Sequence, residues 1–243
     1  MSYYVLLGVK VVIAIGLTIL FGNGCVVFFN RLPVQWFAEE KEDGTTQLPE
    51  ELQDLGDGTR QRLPSTPWKF VFTGYFGITG LFLALYSSLQ YEVAVLFVMA
   101  IVLEMAICDK KYQIVPDMFS ILLAVSALGF ITFQEKWWDP LLGALYGAGM
   151  VLLIHLIGKL FLKKDIIGGA DLKFFLAIGL ITGSKGVLLI FIATQLIMGI
   201  HAGYLYLRKR VQKGDTMPLL PYVFLVLTVY FLFFWDMMSF VVF

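Results

Sequence analysis

The chain has 243 residues, of which 59% are hydrophobic and 15% charged, and its formal net charge is zero. Soluble domains average about 45–50% apolar and about 25% charged residues, so the composition, with a mean hydropathy of +0.82, argues against a water-soluble fold and for a lipid bilayer as the surrounding medium. The balanced charge offers no basic surface for nucleic acid, and two cysteines, Cys25 and Cys108, cannot build a disulfide framework or a four-cysteine zinc site, so no metal is expected.

The N-terminal apolar run reaches Phe29, too long for a signal-peptide core and followed by no small-residue cleavage site, so it reads as a retained first span. A polar segment from residue 31 to 69 follows, acidic and punctuated by Gly and Pro between Glu39 and Asp57, which reads as a mobile cytoplasmic tether, with substrate docking as the alternative. A span needs about 20 mainly apolar residues. On that criterion the chain is an all-α, polytopic transmembrane bundle of about eight spans, near residues 4–29, 70–89, 92–108, 118–133, 140–162, 172–182, 186–207 and 218–242. The sixth is short and suits a half-helix packed within protein. The expected divisions are a first span over 1–30, the loop over 31–69 and a membrane core over 70–243.

Most of the 18 Lys and Arg residues fall in the odd-numbered loops. Lys10, Lys136 and Lys185 lie toward the other side, so the odd loops are expected in the cytoplasm and both termini outside. Trp137 and Trp138 suit an anchor at the outer interface. Gly74, Gly77 and Gly80, and again Gly143, Gly147 and Gly149, read as sites of close helix packing.

Ionisable groups at membrane depth are costly and are usually kept for a task. Asp109 closes the third span in Asp109-Lys-Lys-Tyr-Gln113-Ile-Val-Pro116-Asp117, and Asp171 opens the sixth in Gly168-Gly169-Ala170-Asp171-Leu-Lys173. Two aspartates from separate helices at one depth meet the requirement of acid protease chemistry, because carboxylates a few Å apart share one proton. The same residues also suit simple N-caps. Glu104 reads as structural, Lys10 as a snorkelling side chain, and His155 and His201 as helix–helix hydrogen-bonding groups rather than metal ligands.

These stretches resemble the type IV prepilin peptidases and their archaeal preflagellin-cleaving relatives. Phe21-Gly-Asn-Gly-Cys25 through Asn30-Arg31-Leu-Pro33 is similar to the end of the family's first span, Asp109 through Asp117 to its Asp-x-x-x-Gln-x-x-Pro-Asp stretch, Gly168 through Lys173 to its Gly-x-Gly-Asp-x-Lys, and Met217-Pro218-Leu-Leu-Pro221 to the Pro-Phe-Gly-Pro that opens its last span. The resemblance implies a membrane aspartyl endopeptidase with Asp109 and Asp171 catalytic and with Asp117, Lys173, Gly168 and Gly169 in support. It implies the helix of a type IV prepilin or pseudopilin precursor, from pilus, competence or secretion systems, as partner, cut after a glycine at the cytoplasmic face of the inner membrane. Ala170 replaces a glycine of many bacterial members, a change other intramembrane aspartyl proteases tolerate. The loop lacks the Cys-x-x-Cys pairs of those members, which excludes a loop zinc site and weakens the expectation of N-methylation. No cofactor is expected, S-adenosylmethionine entering only if methylation is retained. Two other readings fit the same aspartates: a presenilin-like protease cutting inside a transmembrane segment, and an ion-coupled transporter or assembly factor.

Overall fold

The computed structural model describes residues 3–40, 46–49, 52, 62–134, 136–162, 168–210 and 217–235. Among the described residues seven α-helices order the chain: α1 Tyr3–Arg31, α2 Ser65–Tyr86, α3 Leu89–Tyr112, α4 Asp117–Ser126, α5 Asp139–Leu162, α6 Gly169–Leu207 and α7 Leu220–Val229. A 3₁₀ segment, Ala127–Phe133, prolongs α4, and a π turn, Tyr230–Phe234, prolongs α7.

The middle of the bundle is α3, whose apolar window is 78% buried against 22% for α1 and α5. It begins where Ser88 accepts a hydrogen bond from the Tyr91 amide and stops at Gln113, which turns left-handed at φ 56°. Antiparallel to it runs α7. The Tyr91 hydroxyl donates to the Phe231 carbonyl at 2.9 Å, and Phe130, Phe133 and Trp235 pack round the Tyr91 ring. Against α3 and α2 lies α1, approaching α2 at Gly77 and Gly80, which face Thr18 and Ala14, while Gly74 faces open space.

Gly183, at φ 70° and ψ −176°, breaks α6. The Phe175 and Phe191 rings lie 5.0 Å apart across the break. Sixteen residues of continuous helix would separate them by about 24 Å, so the chain doubles back at Gly183 into a hairpin with arms 169–182 and 184–207. The turn is stapled by Asp139, whose carboxylate accepts from the Ser184 hydroxyl at 2.6 Å and from its amide at 3.3 Å. Packing against the first arm is backbone to backbone, because Gly143 meets Gly179 and Gly147 meets Phe175. Gly149, from the same sequence pattern, touches nothing.

Five helices are long and apolar enough to cross a membrane among the described residues, with 169–207 taken as one, and residues 117–133 and 220–234 form shorter apolar helices. Where eight spans were expected, the described residues form eight helical segments, four of them short or joined at Gly183. The polar 31–69 segment is less bare than its composition suggests: Phe37 and Leu52 are fully buried, Glu39–Glu40 pairs with Thr46–Gln47, and most of the acidic stretch lies outside the described residues. Lys10 does not snorkel. It is buried, donates to the Ser87 carbonyl at 2.6 Å, and faces the charge of the fully buried Glu92.

Gly183 has a conformation that only glycine adopts readily, and a side chain there would also run into the Asp139 carboxylate. Gly183→Ala is therefore expected to destabilise the hairpin by about 1–3 kcal/mol. A lowered thermal unfolding midpoint in detergent checks this, and an unchanged midpoint contradicts it.

Candidate active site

Asp109 lies in the last turn of α3 and Asp171 in the first turn of α6. The antiparallel course of α5 along the first arm of α6, and of α7 along α3, brings the end of α3 and the starts of α4, α6 and α7 to one end of the bundle. Both aspartates are half-buried there, and the Asp109 carboxylate acts electrostatically on Asp171. Motifs 62 residues apart in sequence thus meet as one site.

The start of α7 contributes a third component. The Leu220 amide donates to Asp109 Oδ2 at 2.8 Å. The first amides of a helix lack partners within it, and they carry the positive end of its dipole, so a carboxylate is a natural acceptor. Pro221 follows at the helix start, supplying no amide of its own. The Met217–Pro221 stretch stood out in sequence only by resemblance, and a Pro-x-x-Pro spacing alone gives no sign that an amide within it would bind an aspartate.

Asp117 and Lys173 also meet. Lys173 Nζ donates to both Asp117 carboxylate oxygens, at 2.6 and 2.7 Å, joining the start of α4 to the first turn of α6 beside Asp171. Asp117 is the first residue of α4, after the cap residue Pro116, and it makes no side-chain cap. Among the described residues, nothing lies within 4 Å of where a side chain would stand at Gly168 and Gly169, and neither has a positive φ.

One buried acid, read from the sequence as structural, is Glu104. Glu104 is 4% exposed, sits beside the Cys25 thiol of α1 and within electrostatic reach of Cys108, and neither of its oxygens has a hydrogen-bond partner of normal geometry among the described residues. His201 Nδ1 lies 2.5 Å from the Tyr222 hydroxyl, an interhelical hydrogen bond between the second arm of α6 and α7. No group of three or more metal-ligating side chains occurs among the described residues.

Residues 95–203 match the model of the type IV leader peptidase family. That stretch contains Asp109, Asp117, Asp171 and Lys173. A prepilin leader peptidase/N-methyltransferase of Bacillus subtilis strain 168 is 26% identical over 136 residues, which are 55% of this chain and 52% of that protein. The match thus spans about half the length of the curated relative. No solved structure matches the chain. The resemblance read from the motifs is therefore one to the type IV leader peptidase family, carried by the segment that holds both aspartates.

Two expectations follow from this geometry. The Lys173–Asp117 pair is more than half exposed on both sides, and exposed pairs contribute about 0.2–1 kcal/mol. A double-mutant cycle with Asp117→Asn and Lys173→Gln, read by thermal unfolding, is expected to give a coupling below about 1 kcal/mol; a larger coupling would make the bridge a main support of the fold. Glu104→Met, which replaces an unpaired buried carboxyl with an apolar group of similar volume, is expected to stabilise the protein by about 1–3 kcal/mol. A fall in the unfolding midpoint would mean that the carboxyl has a partner it needs.

Proposed function

We propose that the chain is a membrane aspartyl endopeptidase that removes the leader peptide from type IV prepilin-like precursors, with Asp109 and Asp171 as the catalytic pair. The observation that carries this reading is the meeting of two half-buried aspartates from separate helices at one end of an apolar bundle. It is supported by the family match over residues 95–203 and by the name of the B. subtilis relative.

Two carboxylates so placed hold one proton between them. Asp109, which already accepts the Leu220 amide, is the member left charged, and Asp171 carries the proton. The charged carboxylate takes a proton from water as its oxygen attacks the scissile carbonyl carbon. Asp171 meanwhile donates a hydrogen bond to the carbonyl oxygen and stabilises the charge that gathers there. The tetrahedral intermediate then collapses, the peptide C–N bond breaks, and the leaving amine takes up the proton Asp109 collected. Partial burial excludes competing water and strengthens both interactions. The open space at Gly168 and Gly169 leaves room beside Asp171 for the substrate backbone.

The placement of charge supports a cytoplasmic site. Arg62, Lys110, Lys111, Lys173 and Arg208 lie at the Asp109 end of the bundle, while Lys10, Lys136 and Lys185 lie toward the other. A precursor's apolar helix would stand in the bilayer with its leader junction at that end, in a multi-pass protein of the cytoplasmic membrane whose termini face outward. The proposal is confined to hydrolysis. Methyl transfer, which the relative's name adds, would bring S-adenosylmethionine as a second substrate.

Asparagine is the informative substitution at either aspartate, because it keeps the shape and, at 109, an acceptor for the Leu220 amide while removing the shared proton. Asp109→Asn and Asp171→Asn, each purified in detergent, are expected to cut a synthetic prepilin at least about 10²-fold more slowly than the parent, without loss of folding. Product mass gives both the cleaved bond and any added methyl group. Undiminished cleavage by either variant rejects the assignment, and a cut deep in the apolar run rather than before it would favour the presenilin-like reading.

A further inference from the structure

The described surface holds a groove of about 520 Å³ where α2, α3 and α7 meet. Its walls are apolar, built from Trp68, Phe72, Ala106, Ile107 and Phe224, and its cations are Lys110 and Lys111 from the last turn of α3. Positions 103, 106, 107, 110 and 111 recur at helical spacing and form one face of α3. Asp109 lies roughly 130° round the helix from the centre of that face. Pro221 lines the groove, while its neighbour Leu220 binds Asp109. The first turn of α7 is thus a partition, with the paired aspartates on one side and the groove on the other.

We propose that this groove holds one acyl chain of an anionic phospholipid, with its phosphate at Lys110 and Lys111. An apolar body ending in positive charge at the level of a helix terminus has the same order of chemistry, hydrocarbon and then phosphate, as one leaflet of such a lipid. Lys111 is held in place by donating to the Arg62 carbonyl and lies 5.5 Å from the Tyr112 ring centroid. Lys110 is exposed and makes no hydrogen bond or ion pair among the described residues, which leaves its ammonium group for a phosphate. Trp68, about a third exposed, suits the boundary between hydrocarbon and headgroup.

Size favours a lipid over a polypeptide. A helix with its side chains is about 10–12 Å across and fills on the order of 500 Å³ per turn. The groove would therefore take only about one turn of a helix, whereas an extended hydrocarbon chain can lie along its whole length. An acyl chain there packs on Phe224 and Pro221, and so braces the turn of α7 that carries the Leu220 amide.

The test is native mass spectrometry of the full-length protein equilibrated with equal amounts of phosphatidylglycerol and phosphatidylcholine. The parent is expected to retain one phosphatidylglycerol in preference. Lys110→Gln, an exposed change, is expected to reduce that retention about five-fold, the effect of one basic residue near a lipid phosphate. Ala106→Trp, which fills the groove, is expected to abolish retention of both lipids, thermal unfolding confirming that the variant is folded. Equal retention of the two lipids by the parent, or an unchanged preference in both variants, overturns the proposal. So would retention of an added apolar helical peptide ahead of phosphatidylglycerol. The readout is lipid binding and is independent of proteolysis.

Discussion

The rest of the structure depends on two helix ends being brought to the same depth, the last turn of α3 with Asp109 and the first turn of α6 with Asp171. Neither position is free to drift. Asp109 lies three residues from the end of the most buried helix in the bundle, one whose start is pinned by the Tyr91 contacts with α7. The depth of Asp171 is set by the far end of its own arm. Residues 169–182 make a helix about 21 Å long, shorter than the ~30 Å hydrocarbon core, and Asp139 holds the turn that closes it. The length of that arm sets how far its start lies from the turn that Asp139 holds. Gly143 and Gly147 fix the height further, because contact between backbones leaves no flexible side chain to absorb a slip.

Ionisable groups elsewhere on α3 show how differently the bundle treats charge away from that depth. At the opposite end Glu92 is fully buried, and Lys10 from α1 supplies the opposing charge while its own ammonium group binds the Ser87 carbonyl. Between the ends, Glu104 lies beside the Cys25 thiol and within electrostatic reach of Cys108. The three acids of α3 thus occupy three environments: a buried site within electrostatic reach of Lys10, an apolar pocket, and a half-buried helix boundary where a second carboxylate and a helix N-terminus are both near. Only the last combines access with an arrangement able to move a proton.

Much of this was legible in the sequence, and the limits have physical causes. Long apolar runs mark helices because a membrane allows little else, and the break between the sixth and seventh runs was visible in Thr182-Gly183-Ser184, which the structure turns into a hairpin. Apolar length could not tell a crossing helix from a packed one: 117–133 is apolar yet ends in 3₁₀ geometry and falls short of the length a span needs. The aspartates stood out because each ended or began an apolar run within a polar motif. Leu220 did not, since what it contributes is a backbone amide, and any residue but proline supplies one. Lys10 was misread because snorkelling assumes a side chain at the rim, and whether a lysine faces lipid or an acid on the next helix depends on helix rotation, which an evenly apolar helix does not reveal.

The start of α7 shows why the fold and the site cannot be separated. A helix that begins at the edge of a membrane has amides with no internal partner and little water to satisfy them. Pro221 removes one such donor, and Asp109 answers another through Leu220. The carboxylate therefore completes the end of a neighbouring helix, and that helix in turn fixes the direction in which the carboxylate points. Asp171 takes its backbone contact from within its own segment, at Gly168, and stands in the first turn of its own arm just after Gly168 and Gly169. The two members of the pair are thus inequivalent by construction, one clamped by a third helix and one set at an open approach. In the mechanism proposed above, an asymmetry of that kind gives a shared proton a preferred home.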